Sequence, residues 1–372
     1  MKILHVGKFY HPYVGGIETV LQNLAEGLVE RSHRVTVYCS NTNTEFKVGT
    51  INGVDVVRAP TYGHFASQPL TFGLHRLIVE NSYKFDLINI HSPNPLVELS
   101  VLGLNDKVPV VVTYHSDIVR QKFLKNFYNP IQHQVLTRAN GIVAASPQLV
   151  KYSEVLSHFQ TKCRVIPFGL PKATFTPTSS LKEKADPYIL FVGRLVSYKG
   201  LEVLLQAMTE VSAKLLIVGE GPLKKNLQNH IQKLGLHEKV QLMGRVEDQN
   251  TLMSLMQGCE LFVLPSITTA EAFGMVLLEA MACGKPIVST KLESGVSFVN
   301  EHGVTGYQVP PQNPVELAQA ITKILANPLQ KEMMGRASRE RFDKYFTREA
   351  MVKSYEDLYL KLTEGVERVV AA

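Results

Sequence analysis

The sequence predicts an α/β protein of two domains, each built on a parallel sheet, and three observations carry that reading. Short apolar, β-branched runs alternate with longer helical patterns from end to end. The alternation stops over residues 171–187, where three prolines, several Ser and Thr and the charged Lys182-Glu183-Lys184 replace any apolar period. It then restarts with the same rhythm. The 372 residues also exceed the length of a single ordinary domain.

In order, the first half offers strands at Lys2–Val6, Arg34–Cys39, Val54–Arg58, Leu87–His91, Val108–Tyr114, Gly141–Ala145 and Arg164–Pro167. Helical patterns lie between them at Gly16–Glu30, Pro69–Tyr83 and Phe123–Arg138. Unbroken Val/Ile strands separated by helices mean βαβ units, with the sheet covered on both faces. The second half repeats the scheme with strands at Tyr188–Val192, Lys214–Val218, Val240–Leu242, Leu261–Leu264 and Pro286–Ser289. Helical stretches at Pro314–Leu325, Gln330–Lys344 and Arg348–Leu362 close the chain. The domains expected are 1–170, a linker at 171–186, and 187–349, with the C-terminal ends of both sheets facing a cleft.

Composition narrows the class. Apolar residues make up 45% and charged residues 19%, the balance of a folded globular protein and not of a disordered chain. Apolar runs such as Val108–Val112 are far shorter than the ~20 residues of a membrane span. Met1–Gly7 reads as a strand followed at once by Lys8 and His11, not as a signal peptide. The four cysteines, 39, 163, 259 and 283, form no C-x-x-C pair and read as reduced thiols of a cytoplasmic protein. Net charge is +6 and uneven: residues 1–168 hold 16 Lys and Arg against 11 Asp and Glu. A basic first half suits an anionic partner, either a phosphorylated acceptor or a membrane surface. Without a dense Lys/Arg run or an aromatic platform, nucleic acid is not expected.

Four segments carry chemistry. The first strand runs into Gly15-Gly16 ahead of a helix, where glycine lets backbone approach an anion and the helix N-terminus offers free N–H groups. A tight strand–helix turn explains the same pair, and the spacing is not G-x-G-x-x-G. Strand 188–192 leads into Gly193-Arg194 and Lys199-Gly200, two cations suited to a polyanionic phosphate or, alternatively, exposed on a solvated loop. The strand 261–264 ends in a loop bearing Glu271, and Gly274 precedes an apolar helix. The free N–H groups of Met275 and Val276 then become available to a diphosphate. Glu271 suits sugar hydroxyls or stabilises the helix N-terminus; Glu279 suits a ribose diol or a wet helix face. Because Glu279 is surrounded by Met, Val, Leu and Ala, its carboxylate needs a partner. The fourth segment, Arg120 with Lys122, Phe123, Leu124, Lys125, Phe127 and Tyr128, reads equally as a membrane-facing helix or as a core-facing aromatic stripe with solvated lysines.

Taken together, Glu271–Glu279 (E-x7-E), Gly193-Arg194…Lys199-Gly200 and Gly15-Gly16-Ile17-Glu18 resemble retaining glycosyltransferases of family 4 over essentially the whole chain. That resemblance implies the GT-B fold: a Rossmann-like acceptor-binding domain, a Rossmann-like nucleotide-sugar-binding domain, and a last helix, about residues 350–372, packing back on the first. By position it implies that Arg194 and Lys199 bind the donor diphosphate and that Gly15 and Gly16 close over it. Glu271 holds the donor sugar beside the backbone of Phe273, Gly274, Met275 and Val276, and Glu279 holds the ribose. The loops carrying Gly219, Arg245 and Val246 frame the base. His115, in Thr113-Tyr-His-Ser-Asp117, matches the family's histidine at the reaction centre; on its own, a lone histidine after a strand reads as a loop residue.

The resemblance further implies same-face transfer with retention. No D-x-D triplet occurs among the eight aspartates, so no metal is expected and the cations and helix N-terminus neutralise the leaving group. Similarity over Tyr114–Val119 and the Glu271 segment points to bacterial surface-polysaccharide mannosyltransferases. The expected donor is therefore GDP-mannose ahead of a UDP-hexose (glucose, galactose or N-acetylglucosamine). The expected acceptor is a saccharide, carried on polyprenyl diphosphate at the inner face of the cell membrane, in the assembly of a polysaccharide such as O-antigen. A sugar-nucleotide epimerase or hydrolase shares this layout, and an inactive subunit of an assembly complex is the non-enzyme alternative.

Overall fold

The computed structural model describes residues 1–65, 68–105, 107–118, 122–172 and 187–364, without the side chains of 122–127. Residues 173–186 of the expected linker, Arg120, and residues 365–372 lie outside the described residues, as do the side chains of Lys122, Phe123, Leu124, Lys125 and Phe127. The chain divides into two compact units, one of Met1–Gly169 plus the chain from Arg348, the other of Leu170–Thr347.

The first unit holds β1 (Lys2–Val6), β2 (Arg34–Ser40), β3 (Lys47–Ile51), β4 (Val54–Ala59), β5 (Leu87–Ser92), β6 (Val110–Tyr114), β7 (Gly141–Ala144) and β8 (Cys163–Val165). Their order across the sheet is β8-β7-β6-β5-β1-β2-β4-β3. Ile3, Leu4, Ile88, Ile90 and Val110–Val112 are fully buried, as strands covered on both faces require. The helices are α1 (Gly16–Glu30), α2 (Phe72–Asn81), α3 (Pro95–Leu102), α4 (Lys122–Arg138) and α5 (Pro147–Tyr152). On α1 the residues Val20, Leu21, Leu24, Ala25 and Leu28 recur every three or four positions and bury one face.

Two readings need correction, and a third, left open between alternatives, is decided for Tyr128. The sheet is not wholly parallel: β3 pairs antiparallel with β4 through Asn52 and Gly53, both at positive φ (49° and 80°), an Asn-Gly hairpin turn. The helical pattern from Pro69 begins only at Phe72, because Gln68–Pro69 pairs with His64–Phe65 as a small hairpin. Tyr128 is no membrane-facing residue. It is buried, its hydroxyl donates to the Glu98 carboxylate, and Gln132 Nε2 donates to it at 3.0 Å.

The second unit holds β9 (Tyr188–Val192), β10 (Lys214–Val218), β11 (Val240–Gly244), β12 (Leu261–Leu264), β13 (Ile287–Thr290) and β14 (Gly306–Val309), in the order β11-β10-β9-β12-β13-β14. All of these pairs are parallel, so every strand ends at the same sheet edge. Its helices are α6 (Leu201–Ala207), α7 (Lys224–Lys233), α8 (Gln249–Gly258), α9 (Met275–Ala282), α10 (Gly295–Val299), α11 (Pro314–Leu325) and α12 (Pro328–Tyr345).

The last helix, α13 (Arg348–Thr363), returns to the first unit, burying Met351, Val352, Tyr355 and Tyr359. Glu356 accepts from Arg31 Nε at 2.7 Å and lies 2.7 Å from His33 Nε2, while Arg348 pairs with Glu30 at 2.5 Å. Inside, Asn89 Nδ2 donates to Tyr359 Oη at 2.6 Å, and Tyr355 Oη meets Thr113 Oγ1 at 3.2 Å. Tyr359→Phe removes the acceptor of a fully buried amide. It is expected to cost about 1–3 kcal/mol in chemical denaturation, with little change in helix content; an unchanged midpoint would mean that Asn89 finds another acceptor.

Candidate active site

In the second unit the candidate residues come from loops leaving neighbouring strands β11, β10, β9 and β12. Those loops touch backbone to backbone. Gly193 N donates to Val218 O at 3.0 Å, Gly219 N to Gly244 O at 2.8 Å, and Leu195 N to Glu220 O at 2.9 Å. Gly219 has φ 141°, and a Cβ there would lie 1.9 Å from Gly193 O, so only glycine allows the approach. Gly200 plays the same part between β9 and β12: at φ 67°, its Cβ would lie 2.0 Å from Pro265 O. Ile267 N donates to Tyr198 O at 2.8 Å across the same contact.

That contact brings two of the expected residues together. Lys199 Nζ lies 2.5 Å from Glu271 Oε2, and both side chains are about 10% exposed. Ser266 Oγ donates to the same oxygen at 2.9 Å. Glu271 therefore does not cap α9; it is the buried counter-ion of Lys199. Its second oxygen, Oε1, has no hydrogen bond among the described residues. Sequence reasoning gave Lys199 and Glu271 separate roles and passed over Ser266; the nearness of β9 and β12 in the sheet joins them.

The same loops, and α9 that follows, carry groups with unused capacity. Arg194 is exposed, and its guanidinium makes no hydrogen bond or ion pair among the described residues. The N–H groups of Met275 and Val276, opening α9 after Gly274, find no acceptor among them either, and Phe273 is buried just before. The Glu279 carboxylate has no partner among the described residues; the residue is half-buried, and burial pushes its carboxyl up to about 7. Arg245 is exposed with Glu247 at 3.8 Å, and Val246 is half-buried next to it.

Gly15, Gly16 and His115 belong to the first unit. Gly15 is the N-cap of α1 in extended conformation, accepting from Thr19 N at 2.8 Å, and Gly16 is exposed with open space around it. His115 is not a lone loop histidine. It is buried, its N–H donates to Ser92 O at 2.9 Å, and its ring stacks on Phe168 at 5.1 Å. Its Nε2 lies 2.9 Å from His91 Nδ1, and His91 Nε2 lies 3.2 Å from His5 Nδ1. His5 and His91 had no signal of their own: they sit inside apolar strands, and only the β1–β5–β6 adjacency lines them up with His115. Among the described residues no group of three His, Cys, Asp or Glu is arranged to hold a metal ion.

The Lys199–Glu271 pair makes a stability prediction. Lys199→Met strands a buried carboxylate and is expected to cost about 3–5 kcal/mol. The double variant Lys199→Met/Glu271→Gln removes both charges and is expected to recover a large part of that loss in chemical denaturation. Additive losses would show that the pair is not coupled in solution.

Comparison with known proteins agrees over the length of the chain. Residues 14–172 match the family model described as Glycosyltransferase Family 4, and residues 173–341 match Glycosyl transferases group 1. The O-antigen chain mannosyltransferase C of Escherichia coli is 34% identical over 98% of this chain and 100% of its own. The D-rhamnosyltransferase WbpZ of Pseudomonas aeruginosa is 36% identical over 93% and 92%. Among solved structures, sucrose-phosphate synthase from Thermosynechococcus elongatus has a TM-score of 0.81 at 24% identity, covering 97% of this chain and 98% of its own. Anabaena HepE in complex with UDP has a TM-score of 0.77 at 21% identity, covering 97% and 100%. The structures speak to the fold, two Rossmann-like domains of the GT-B type, and the sequences speak to the family. The chain belongs to glycosyltransferase family 4 and is a glycosyltransferase.

Proposed function

We propose that the chain transfers mannose from GDP-mannose, with retention of configuration, to a saccharide acceptor on polyprenyl diphosphate during surface-polysaccharide assembly. The observation that carries the reading is the second unit's loop cluster. There an unpaired Arg194 and the open N-terminus of α9 accompany a buried Lys199–Glu271 pair. Such a cluster has cationic capacity for a diphosphate and one carboxylate oxygen for a sugar hydroxyl. The names of the two relatives, a mannosyltransferase and a D-rhamnosyltransferase, support a hexosyl donor of this kind.

In this reading Arg194 and the N–H groups of Met275 and Val276 hold the diphosphate, with Lys199 shared between it and Glu271. Ser266 and Lys199 hold Glu271 Oε2, so Oε1 is the oxygen offered to the sugar. Glu279 takes the ribose hydroxyls, and Gly219, Arg245 and Val246 border the base. As the glycosidic bond breaks, negative charge grows on the departing phosphate, and the same donors stabilise it without a metal ion. The acceptor's proton passes to that phosphate oxygen on the same face, and His115, Gly15 and Gly16 keep the parts that the family resemblance implies.

Calorimetry with GDP, UDP and ADP tests the donor side. GDP is expected to bind best, and Arg194→Ala to weaken it at least about tenfold. Burial favours the protonated form of Glu279, so its contribution to stability is full below about 4.5 and is lost as pH rises through about 7. Ribose hydroxyls prefer the ionised form. GDP affinity is therefore expected to rise up to about tenfold from pH 6 to 8, beyond the rise shown by Glu279→Gln. Preference for UDP would move the donor to a UDP-hexose; binding of none of the three would sink the reading.

No helix among the described residues is long and apolar enough to cross a membrane. On the acceptor side, the excess of Lys and Arg in residues 1–168 supports peripheral contact with an anionic inner leaflet. Flotation with anionic liposomes is expected to carry the protein up and neutral liposomes to leave it behind; equal behaviour would remove the membrane from the proposal.

A further inference from the structure

His5, His91 and His115 lie on three adjacent positions of the first sheet, on β1, on β5 and just after β6. The two nitrogen–nitrogen contacts, 3.2 Å and 2.9 Å, run His5 Nδ1 to His91 Nε2 and His91 Nδ1 to His115 Nε2. The rings are 5.5 Å and 5.2 Å apart, and Phe168 covers the outer face of His115. Tyr359 of α13 stands 6.2 Å from the His5 ring. All three are buried, and no carboxylate is hydrogen-bonded to any of them among the described residues.

Burial holds His5 and His115 near a pKa of about 3 and pushes His91 well below 6.5, where the neighbouring rings add to the effect. The row is therefore neutral at physiological pH. A neutral imidazole carries one N–H, and each nitrogen–nitrogen contact needs one proton. Only two arrangements satisfy both contacts. Either all three rings carry the proton on Nδ1, or all three carry it on Nε2. A mixed row leaves one contact with two protons or with none.

We infer that His91 and His5 are positioning residues for His115, coupling its tautomer to their own so that it meets its ligand through Nδ1 alone. At one end, His115 Nδ1 has no partner among the described residues; at the other, His5 Nε2 is buried with no partner. The row has no outlet. A proton driven in at His115 would end as an imidazolium on fully buried His5, which its environment opposes. His115 thus donates or accepts one hydrogen bond and does not take the acceptor's proton. A hydroxyl can do either, so a bound sugar selects the sense and all three rings follow it. This function for the row rests on His115 contacting the reacting sugar, whereas the shared tautomer does not.

The two parts are read separately. In the full chain labelled with 15N-histidine, long-range 1H–15N spectra are expected to show the three rings neutral from pH 6 to 8. All three should carry the proton on the same nitrogen. A charged ring in that range, or His91 and His115 in opposite tautomers, would overturn the coupling whatever the enzyme's donor. For the role in transfer, His91→Phe keeps the ring volume but bonds to nothing. It is expected to lower kcat about tenfold or more with the KM for the sugar nucleotide within about threefold. His91→Asn, whose amide reaches toward His115 Nε2, is expected to restore most of the loss. Wild-type kcat in folded His91→Phe would overturn the positioning role even if the tautomers agree. A chain with the expected tautomers that binds no nucleotide would instead indict the proposed donor.

Discussion

The contact between Gly200 and the carbonyl of Pro265 decides where charge can sit in the second unit. With no room for a Cβ, the loop after β9 lies flat on the loop after β12, and the tie from Ile267 to Tyr198 holds it there. Lys199, one residue before the contact, and Glu271, six residues after Pro265, are thereby delivered to each other. Burying two opposite charges is costly unless their geometry is good and the remaining lone pairs are satisfied. Ser266 supplies one such bond and leaves one oxygen of Glu271 open.

The same logic separates spent from unspent polarity elsewhere. Asn300 is fully buried and fully used: its amide reaches Ser289 and Tyr307, and its oxygen accepts from Thr305. It ties α10 to β13 and β14 and has nothing left to offer. Arg194, the opening N–H groups of α9 and Glu279 are the reverse case, polar groups held by the fold yet unspent within it. Their signs differ usefully, with cationic capacity near the pair and an acid of raised pKa further along α9.

Much of the architecture was legible because parallel sheets write themselves as unbroken apolar runs. Lys2–Val6, Tyr188–Val192, Lys214–Val218 and Leu261–Leu264 stand at the ends read from sequence, as do α1 and α11. Elements with weak hydrophobic signal were passed over. β3 is exposed on nearly every residue, and only its Asn-Gly turn announced it. β14 and the eight-residue α3 are too short for a period to emerge. Site residues after strands were legible by type, since Arg, Lys and Glu at such positions are conspicuous. Their pairing was not, because Lys199 and Glu271 are seventy-two positions apart and meet only through strand order. Tyr128 stood open between two readings: an aromatic among lysines fits a membrane or a core until Glu98, buried and in need of a donor, claims its hydroxyl.

The first unit spends its polarity in an unusual place. The first sheet carries Asn89, His91 and Thr113, with His115 just after β6, where apolar side chains would pack more cheaply. Thr113 Oγ1 donates to Asn89 Oδ1 at 3.0 Å, and Tyr355 and Tyr359 complete those bonds from the helix. Every hydroxyl and amide in that group is satisfied, which makes it a docking surface that tells α13 where to sit. The histidines beside it are satisfied too, except at the two ends of their row. An orphaned nitrogen on His5 costs roughly 1–3 kcal/mol, with no packing gained by having a ring nitrogen rather than carbon there. Phenylalanine at position 5 would fill the same space without that cost. What His5 has on its other side is the contact of its Nδ1 with His91, through which the inferred coupling of tautomers runs. That ordering ends at one atom, His115 Nδ1, which has no partner among the described residues.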